Sequence, residues 1–256
     1  MAATLIDDHL RFRLDDVDPA VTAVGRQCER AGPGPREFTR DDAGWCLDLP
    51  VPSLQRIEYR FAVGRGDAVD IVLDPANPLT VRTAFGDRSV VELPGYAPPW
   101  WLSAPAVPGR LDPHTLTGET SHEVPVTVWI PQDLPDTEPA PLLLVHDGPE
   151  YDQLASITTY SAALIATGVL PPHRVALAAP VIRDAWYSGS PQYLRTIAAT
   201  GLDGLGERYA VRGPVVVAGA SLGGLTAVLL GLLAAPLRLG DPASAGQQPT
   251  YTSIPH

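Results

Sequence analysis

Ser221 lies between two glycines, because residues 219–223 have the sequence GASLG with the spacing Gly-x-Ser-x-Gly. The apolar run Val215–Val217 precedes this motif and a longer apolar run follows it, which predicts a strand, a tight turn and a helix. A serine at such a turn projects as a nucleophile, and the flanking glycines let strand and helix approach closely. The backbone N–H of Leu222, at the positive end of the helix, would then face an oxyanion. The motif therefore predicts nucleophilic catalysis by Ser221.

The same glycine-rich segment suits other functions less well. A phosphate-binding loop needs a lysine after its last glycine, and this sequence contains no lysine. A dinucleotide-binding Gly-x-Gly-x-x-Gly pattern does not fit residues 219–224. The uncharged run 215–235 is long enough to span a membrane, with Gly219 and Gly223 spaced as in helix dimers. We favour strand, turn and helix, while a buried turn without chemistry stays open.

A second candidate for a functional role is the loop that follows the apolar run 140–145 and has the sequence His146-Asp147-Gly148-Pro149. The run is typical of a strand that is buried on both faces. In α/β-hydrolases the loop after an early strand provides the second oxyanion N–H. If the loop here is similar, Gly148 is the better candidate, because Pro149 has no N–H. His146 is either a general base or a histidine that holds the loop, and we favour the second interpretation.

The elements that must position these residues fall into two halves. Short β-rich segments separated by turn residues predict a small antiparallel β-sandwich over 1–103; they are GWCLDLPV, RIEYRFAV, AVDIVLD and SVVELPG. A proline-rich linker is predicted over 104–117. Alternating strand and helix patterns then predict an α/β domain with a largely parallel sheet over 118–236, followed by an irregular tail over 237–256. Trp100 and Trp101 either hold the proline-rich segment against a domain or form a sugar-binding platform.

Composition excludes several classes of partner. The formal net charge is −11 and the arginines are scattered, which disfavours nucleic acids and anionic membranes. Cys28 and Cys46 form neither a metal-binding pattern nor a disulfide framework, and we predict no metal and no cofactor. The first residues, MAATLIDDHLRF, lack the pattern of a signal peptide, so we expect a cytoplasmic protein.

Beyond the serine motif, six segments spread over about residues 35–233 match a known family in sequence and in order. They are RIEYRFAV, DPANP, FGDRSVVELPGY followed by PPWWL, LLLVHDGPEYD, RDAWYSGSPQYL and VAGASLGGLTA. In them the chain resembles the enterochelin-esterase-like branch of the Putative esterase family, serine esterases of the α/β-hydrolase fold. The resemblance implies a β-sandwich before a hydrolase domain, and hydrolysis of a small-molecule carboxylic ester through an acyl-serine. The best-known substrate of that branch is the ester-bonded siderophore of enteric bacteria. Ser221, Gly148 and Leu222 keep their roles, and Arg183 and Trp186 match a segment beside the active site without an assigned role.

The sequence departs from the family after the nucleophile helix, where members continue with further strands that carry the triad acid and histidine. Here the only later carboxylate belongs to Asp241 and the only later histidine is His256. We therefore expect an incomplete hydrolase domain, a truncated chain whose triad acid and histidine are absent, and impaired turnover. An exposed sheet edge at the nucleophile strand would favour self-association. The alternative function is a ligand- or carbohydrate-binding module without catalytic activity.

Overall fold

The computed structural model describes residues 3–15, 18–28, 36–50, 55–118 and 123–238. The chain divides into two compact units, Met1–Pro98 and Pro99–His256, so the first domain ends somewhat before the predicted boundary at 103. The predicted tail lies outside the described residues from 239 onward, and this includes Asp241 and His256.

The first unit consists of antiparallel strands. Within the described residues these are β1 (Thr4–Ile6), β2 (His9–Asp15), β3 (Ala23–Gln27), β4 (Thr39–Asp41), β5 (Gly44–Pro50), β6 (Arg56–Arg65), β7 (Ala68–Val72), β8 (Thr80–Val81) and β9 (Arg88–Glu92). One sheet has the order β1-β2-β5-β4, and the other has the order β3-β6-β9-β8 with β7 paired to β6.

Alternating burial explains why these strands form two packed layers. Along β6 every second side chain from Ile57 to Val63 is buried, as the two-residue period of a strand requires. Tyr59 of β6 contacts Phe12 of β2 in the other sheet, with ring centroids 4.8 Å apart. The predicted antiparallel sandwich is confirmed.

The second unit contains a five-stranded mixed sheet with helices. Its strands are β10 (Gly109–Thr117), β11 (Glu123–Pro131), β12 (Ala140–His146), β13 (Arg174–Ala178) and β14 (Val211–Ala218). Their order is β10-β11-β13-β12-β14, with β12, β13 and β14 parallel and the other pairings antiparallel. The helices are α1 (Gly148–Ala155), α2 (Ile157–Ala166), α3 (Arg183–Tyr187), α4 (Pro191–Arg195), α5 (Leu202–Arg208) and α6 (Leu222–Arg238). A 3₁₀ turn spans Trp100–Leu102, and a π-helical turn spans Thr196–Gly201 between α4 and α5.

The predicted linker over 104–117 requires a correction, because residues 109–117 form β10 and pair along their whole length with β11. Proline cannot donate to a sheet ladder and is therefore restricted to edges. Pro113 is accommodated because β10 is the outer strand of the described sheet and has one neighbour. Trp101, just before this strand, packs its ring against Tyr160 of α2 at 5.5 Å, whereas Trp100 is exposed.

The sheet of the second unit is covered on both faces. All five residues of β13 are buried, and the buried side chains of the unit form two clusters, one on each side of the sheet. Continuous burial is what a parallel strand between two helix layers requires. This arrangement confirms the predicted partial α/β-hydrolase fold. Within the described ranges, no helix is both long enough and apolar enough to cross a bilayer.

Candidate active site

Ser221 occupies the turn between the end of β14 and the start of α6, as the motif predicts. Its φ is +52°, in the left-handed region that residues with side chains rarely adopt, and its side chain is exposed. The close approach that the motif predicts is present, because a Cβ on Gly219 would lie 2.4 Å from the carbonyl carbon and oxygen of Gly223. Such strain is typical of functional sites.

The loop after β12 repeats this geometry on the neighbouring strand. Asp147 has a φ of +54° and is followed at once by α1, which begins at Gly148. Strands β12 and β14 are parallel and pair Val145 with Ala218, so both turns follow the carboxyl ends of neighbouring strands, on the same side of the sheet. A Cβ on Gly223 would lie 3.2 Å from Oδ2 of Asp147, which shows that the two turns are in contact.

Gly148 and Leu222 are each the first residue of a helix at these strand ends. The first N–H groups of a helix have no intrahelical partner, and the helix dipole makes that end positive. Two such helix ends side by side can bind a developing oxyanion. Gly148 is also packed too closely for any side chain, since a Cβ would lie 2.3 Å from Cα of Leu177 in β13.

His146 is completely buried at the end of β12. Its Nδ1 lies 3.1 Å from the hydroxyl of Tyr193, and its Nε2 has no hydrogen-bond partner among the described residues. Burial lowers the pKa of His146 to about 4, against the opposing effect of the Asp147 carboxylate, so the ring is neutral at pH 7. Without exposed surface the ring cannot take a proton from a bound substrate. The geometry supports the loop-holding interpretation and not the general base.

Arg183 and Tyr187 of α3 hold the loop from the side. The guanidinium of Arg183 donates from Nε and Nη2 to the two carboxylate oxygens of Asp147, each at 2.8 Å. The hydrogen bond to Asp147 raises the pKa of Arg183, and burial raises the pKa of Tyr187 to about 12. Trp186 stacks on Tyr193 with centroids 5.2 Å apart. The sequence places Arg183 and Trp186 near the site, and only the structure shows what Arg183 binds.

A nucleophilic serine is usually activated by a hydrogen bond to a base. Across the described ranges, Ser221 Oγ has no hydrogen bond or ion pair with any histidine or carboxylate. Asp241 and His256 lie outside those ranges. The described site therefore places an exposed serine hydroxyl beside the N-termini of two helices.

Comparisons with known proteins bear on the family and on the fold. Residues 117–238 match the model of the family described as Putative esterase. The fold is similar to that of ferric enterobactin esterase from Salmonella typhimurium, with a TM-score of 0.67 and 18% identity over 88% of this chain and 69% of that one. It is also similar to enterobactin esterase FES from Shigella flexneri in the presence of enterobactin, with a TM-score of 0.66 and 19% identity over 90% of this chain and 69% of that one. No curated protein matches the sequence significantly.

Proposed function

Since residues 117–238 of the chain belong to the Putative esterase family, we propose that the protein hydrolyses carboxylic esters through an acyl intermediate on Ser221. The observation that carries the proposal is the contact between two strand-to-helix turns, one with exposed Ser221 and the other leading into Gly148. A nucleophile and two oxyanion donors at the carboxyl ends of neighbouring strands are the groups that acyl transfer needs.

In the proposed reaction, Ser221 Oγ attacks the ester carbonyl carbon, and the carbonyl oxygen gains the negative charge. The N–H groups of Leu222 and Gly148 donate to that oxygen, and collapse of the intermediate expels the alcohol and leaves an acyl-serine. Water then attacks the acyl carbon and releases the acid. Both attacks need a general base, for which the described residues offer no candidate beside Ser221.

The substrate class that we propose is a small-molecule ester. The similar solved structures include an enterobactin esterase in the presence of enterobactin, which makes siderophore esters the first class to assay. The net charge of −11 opposes a strongly anionic ferric complex, so we favour an uncharged ester or the metal-free siderophore.

We further propose that the 256-residue chain turns substrate over slowly. In serine proteases, loss of the catalytic base leaves a residual acceleration of about 10³ to 10⁴ over water, supplied by the oxyanion hole and binding. Two backbone donors without a neighbouring base among the described residues match that situation.

Self-association of two copies through β14 is a further part of the proposal. Among the described strands β14 has a neighbour on one side, β12, and its Val216 is exposed. Val228 and Leu232 of α6 are exposed as well. Unpaired strand edges with uncharged β-branched residues favour pairing with another chain.

The test of the proposed activity is hydrolysis of p-nitrophenyl butyrate by wild-type protein, Ser221→Ala and Ser156→Ala. Ser156 is a matched control, because its φ is +51° but it lies between α1 and α2. We expect slow turnover that Ser221→Ala removes and Ser156→Ala leaves unchanged. Equal rates for wild type and Ser221→Ala would overturn the proposal. If neither wild type nor Ser221→Ala hydrolysed the ester and a siderophore ester still raised the melting temperature of both, the binding-module alternative would be supported instead.

A further inference from the structure

Asp147 sits immediately before the proposed oxyanion donor Gly148 and has an unusual backbone, with φ +54° and ψ +37°. Residues other than glycine seldom adopt this conformation, and Asp is among those that tolerate it best. The Asp147 side chain is only 12% exposed and is engaged on both oxygens by Arg183. A bidentate pair of this kind fixes orientation as well as distance.

The main chain of Asp147 is held by the same helix. Its N–H donates to the hydroxyl of Tyr187 at 3.1 Å. Tyr187 follows Arg183 by four residues in α3, so both side chains project from one face of that helix. One helix face thus binds the backbone and the carboxylate of the residue that precedes Gly148.

The same helix is also joined to the nucleophile helix. Thr226 of α6 donates its hydroxyl to the carbonyl oxygen of Tyr187 at 3.2 Å. Gly223, one turn earlier in α6, lies against Asp147. Helix α3 therefore connects the Gly148 turn with the Ser221 turn, and displacement of Asp147 would change the distance between the two donors.

We propose that Arg183 is a positioning residue, which holds Asp147 in its left-handed conformation and thereby aims the Gly148 N–H at the oxyanion that the Leu222 N–H also binds. The inference rests on the proposed function. An oxyanion donor works within a narrow distance range, and a displacement of about 1 Å lowers rates by about 10²-fold. Removal of the guanidinium leaves a mostly buried carboxylate without its two donors, and this carboxylate is then expected to turn toward water and take the loop with it.

A direct role for Arg183 in binding an anionic substrate makes a different prediction. Nε and Nη2 are both engaged by Asp147, and Nη1 lies 3.9 Å from a carboxylate oxygen of Asp184. Binding of substrate by Arg183 would change KM for anionic esters alone. Positioning would lower kcat for every ester and leave KM nearly unchanged.

The experiment compares Arg183→Met, Arg183→Lys and the control Asp184→Asn in the full chain. The readouts are the rate at which an uncharged fluorophosphonate labels Ser221, kcat and KM for neutral and anionic esters, and hydrogen exchange of the amides in 147–149. For Arg183→Met we expect about 10- to 100-fold slower labelling, a similar fall in kcat, unchanged KM and faster exchange in 147–149. Arg183→Lys cannot form the bidentate pair, so its labelling rate and kcat should lie between those of Arg183→Met and wild type. Asp184→Asn should match wild type.

Asp147→Asn gives a second route if Arg183→Met does not fold, because it keeps the shape and removes the ion pair, and we expect the same direction of change. Wild-type labelling and exchange in either folded variant would overturn the positioning role. A rise in KM for anionic esters alone would overturn it in favour of substrate binding. If Ser221→Ala labelled as fast as wild type, the proposed function would fail. The positioning role would still be decided by hydrogen exchange of residues 147–149 in Arg183→Met, where faster exchange supports it and wild-type exchange overturns it.

Discussion

Gly219→Ala tests the close packing that places Ser221 at the tip of its turn. The added methyl group would lie 2.4 Å from the carbonyl carbon and oxygen of Gly223 and 2.9 Å from the amide nitrogen of Gly224. These are backbone atoms in the first turn of α6, so no side-chain rotation can relieve the overlap. An ordinary carbon contact is about 3.5–4.0 Å, and the helix must therefore move by about 1 Å.

Overpacking of this kind costs about 1–3 kcal/mol of the free energy of unfolding. In a domain of this size, each kcal/mol corresponds to roughly 2–4 °C, so the melting temperature of Gly219→Ala should fall by roughly 2–12 °C. A shift of about 1 Å at the nucleophile should also slow labelling of Ser221 by a fluorophosphonate by about 10²-fold.

The matched control is Gly231→Ala in the same helix, where an added Cβ meets no atom within 4 Å. Alanine is a better helix former than glycine by about 1 kcal/mol, so Gly231→Ala should melt at the wild-type temperature or above it and label normally. Melting followed by circular dichroism and labelling rates from intact-mass spectrometry measure both effects. Equal behaviour of the two variants would refute the reasoning.

Three further predictions concern the same unit. Gly148→Ala should lower the melting temperature and slow labelling, because its Cβ would lie 2.3 Å from Cα of Leu177, whereas Gly204→Ala in open space should not; equal melting would contradict the packing. His146 has a folded-state pKa of about 4, below its usual 6.5, so unfolding takes up a proton between those values. The free energy of unfolding should therefore fall by up to about 3 kcal/mol as the pH decreases from about 6.5 to 4. Urea unfolding of His146→Gln should lack this fall, and the same pH dependence in His146→Gln as in wild type would contradict the assignment. Val216→Lys should shift the chain toward monomer in light scattering, and an unchanged mass would exclude association through β14.

The turn that carries Ser221 could be predicted from sequence because its determinants are local. Three valines, two spaced glycines and a long apolar run surround Ser221, and each follows the period of the element that it forms. Strands β5, β6, β7 and β9 were predictable for the same reason. Strand β10 was not, because Pro113 suggests a break and its place at the sheet edge depends on pairing with β11.

The arrangement around Asp147 could not be predicted, because its partners are distant in sequence. Arg183 lies 36 residues after Asp147, and no periodicity connects the two side chains. The left-handed backbone of Asp147 was not predictable either, since HDGP is compatible with several turns. Sequence similarity placed Arg183 near the site, and the hydrogen bonds show that it binds Asp147.

The most direct test of the central claim is peptide mapping of the wild-type chain after incubation with a fluorophosphonate. The account predicts a single phosphonyl adduct on Ser221 that accumulates slowly, with no adduct on Ser156. An adduct on any other residue, or a label that persists in Ser221→Ala, would contradict the assignment of the nucleophile. Labelling of Ser221 as fast as in an intact serine esterase would contradict the proposal that this chain turns esters over slowly.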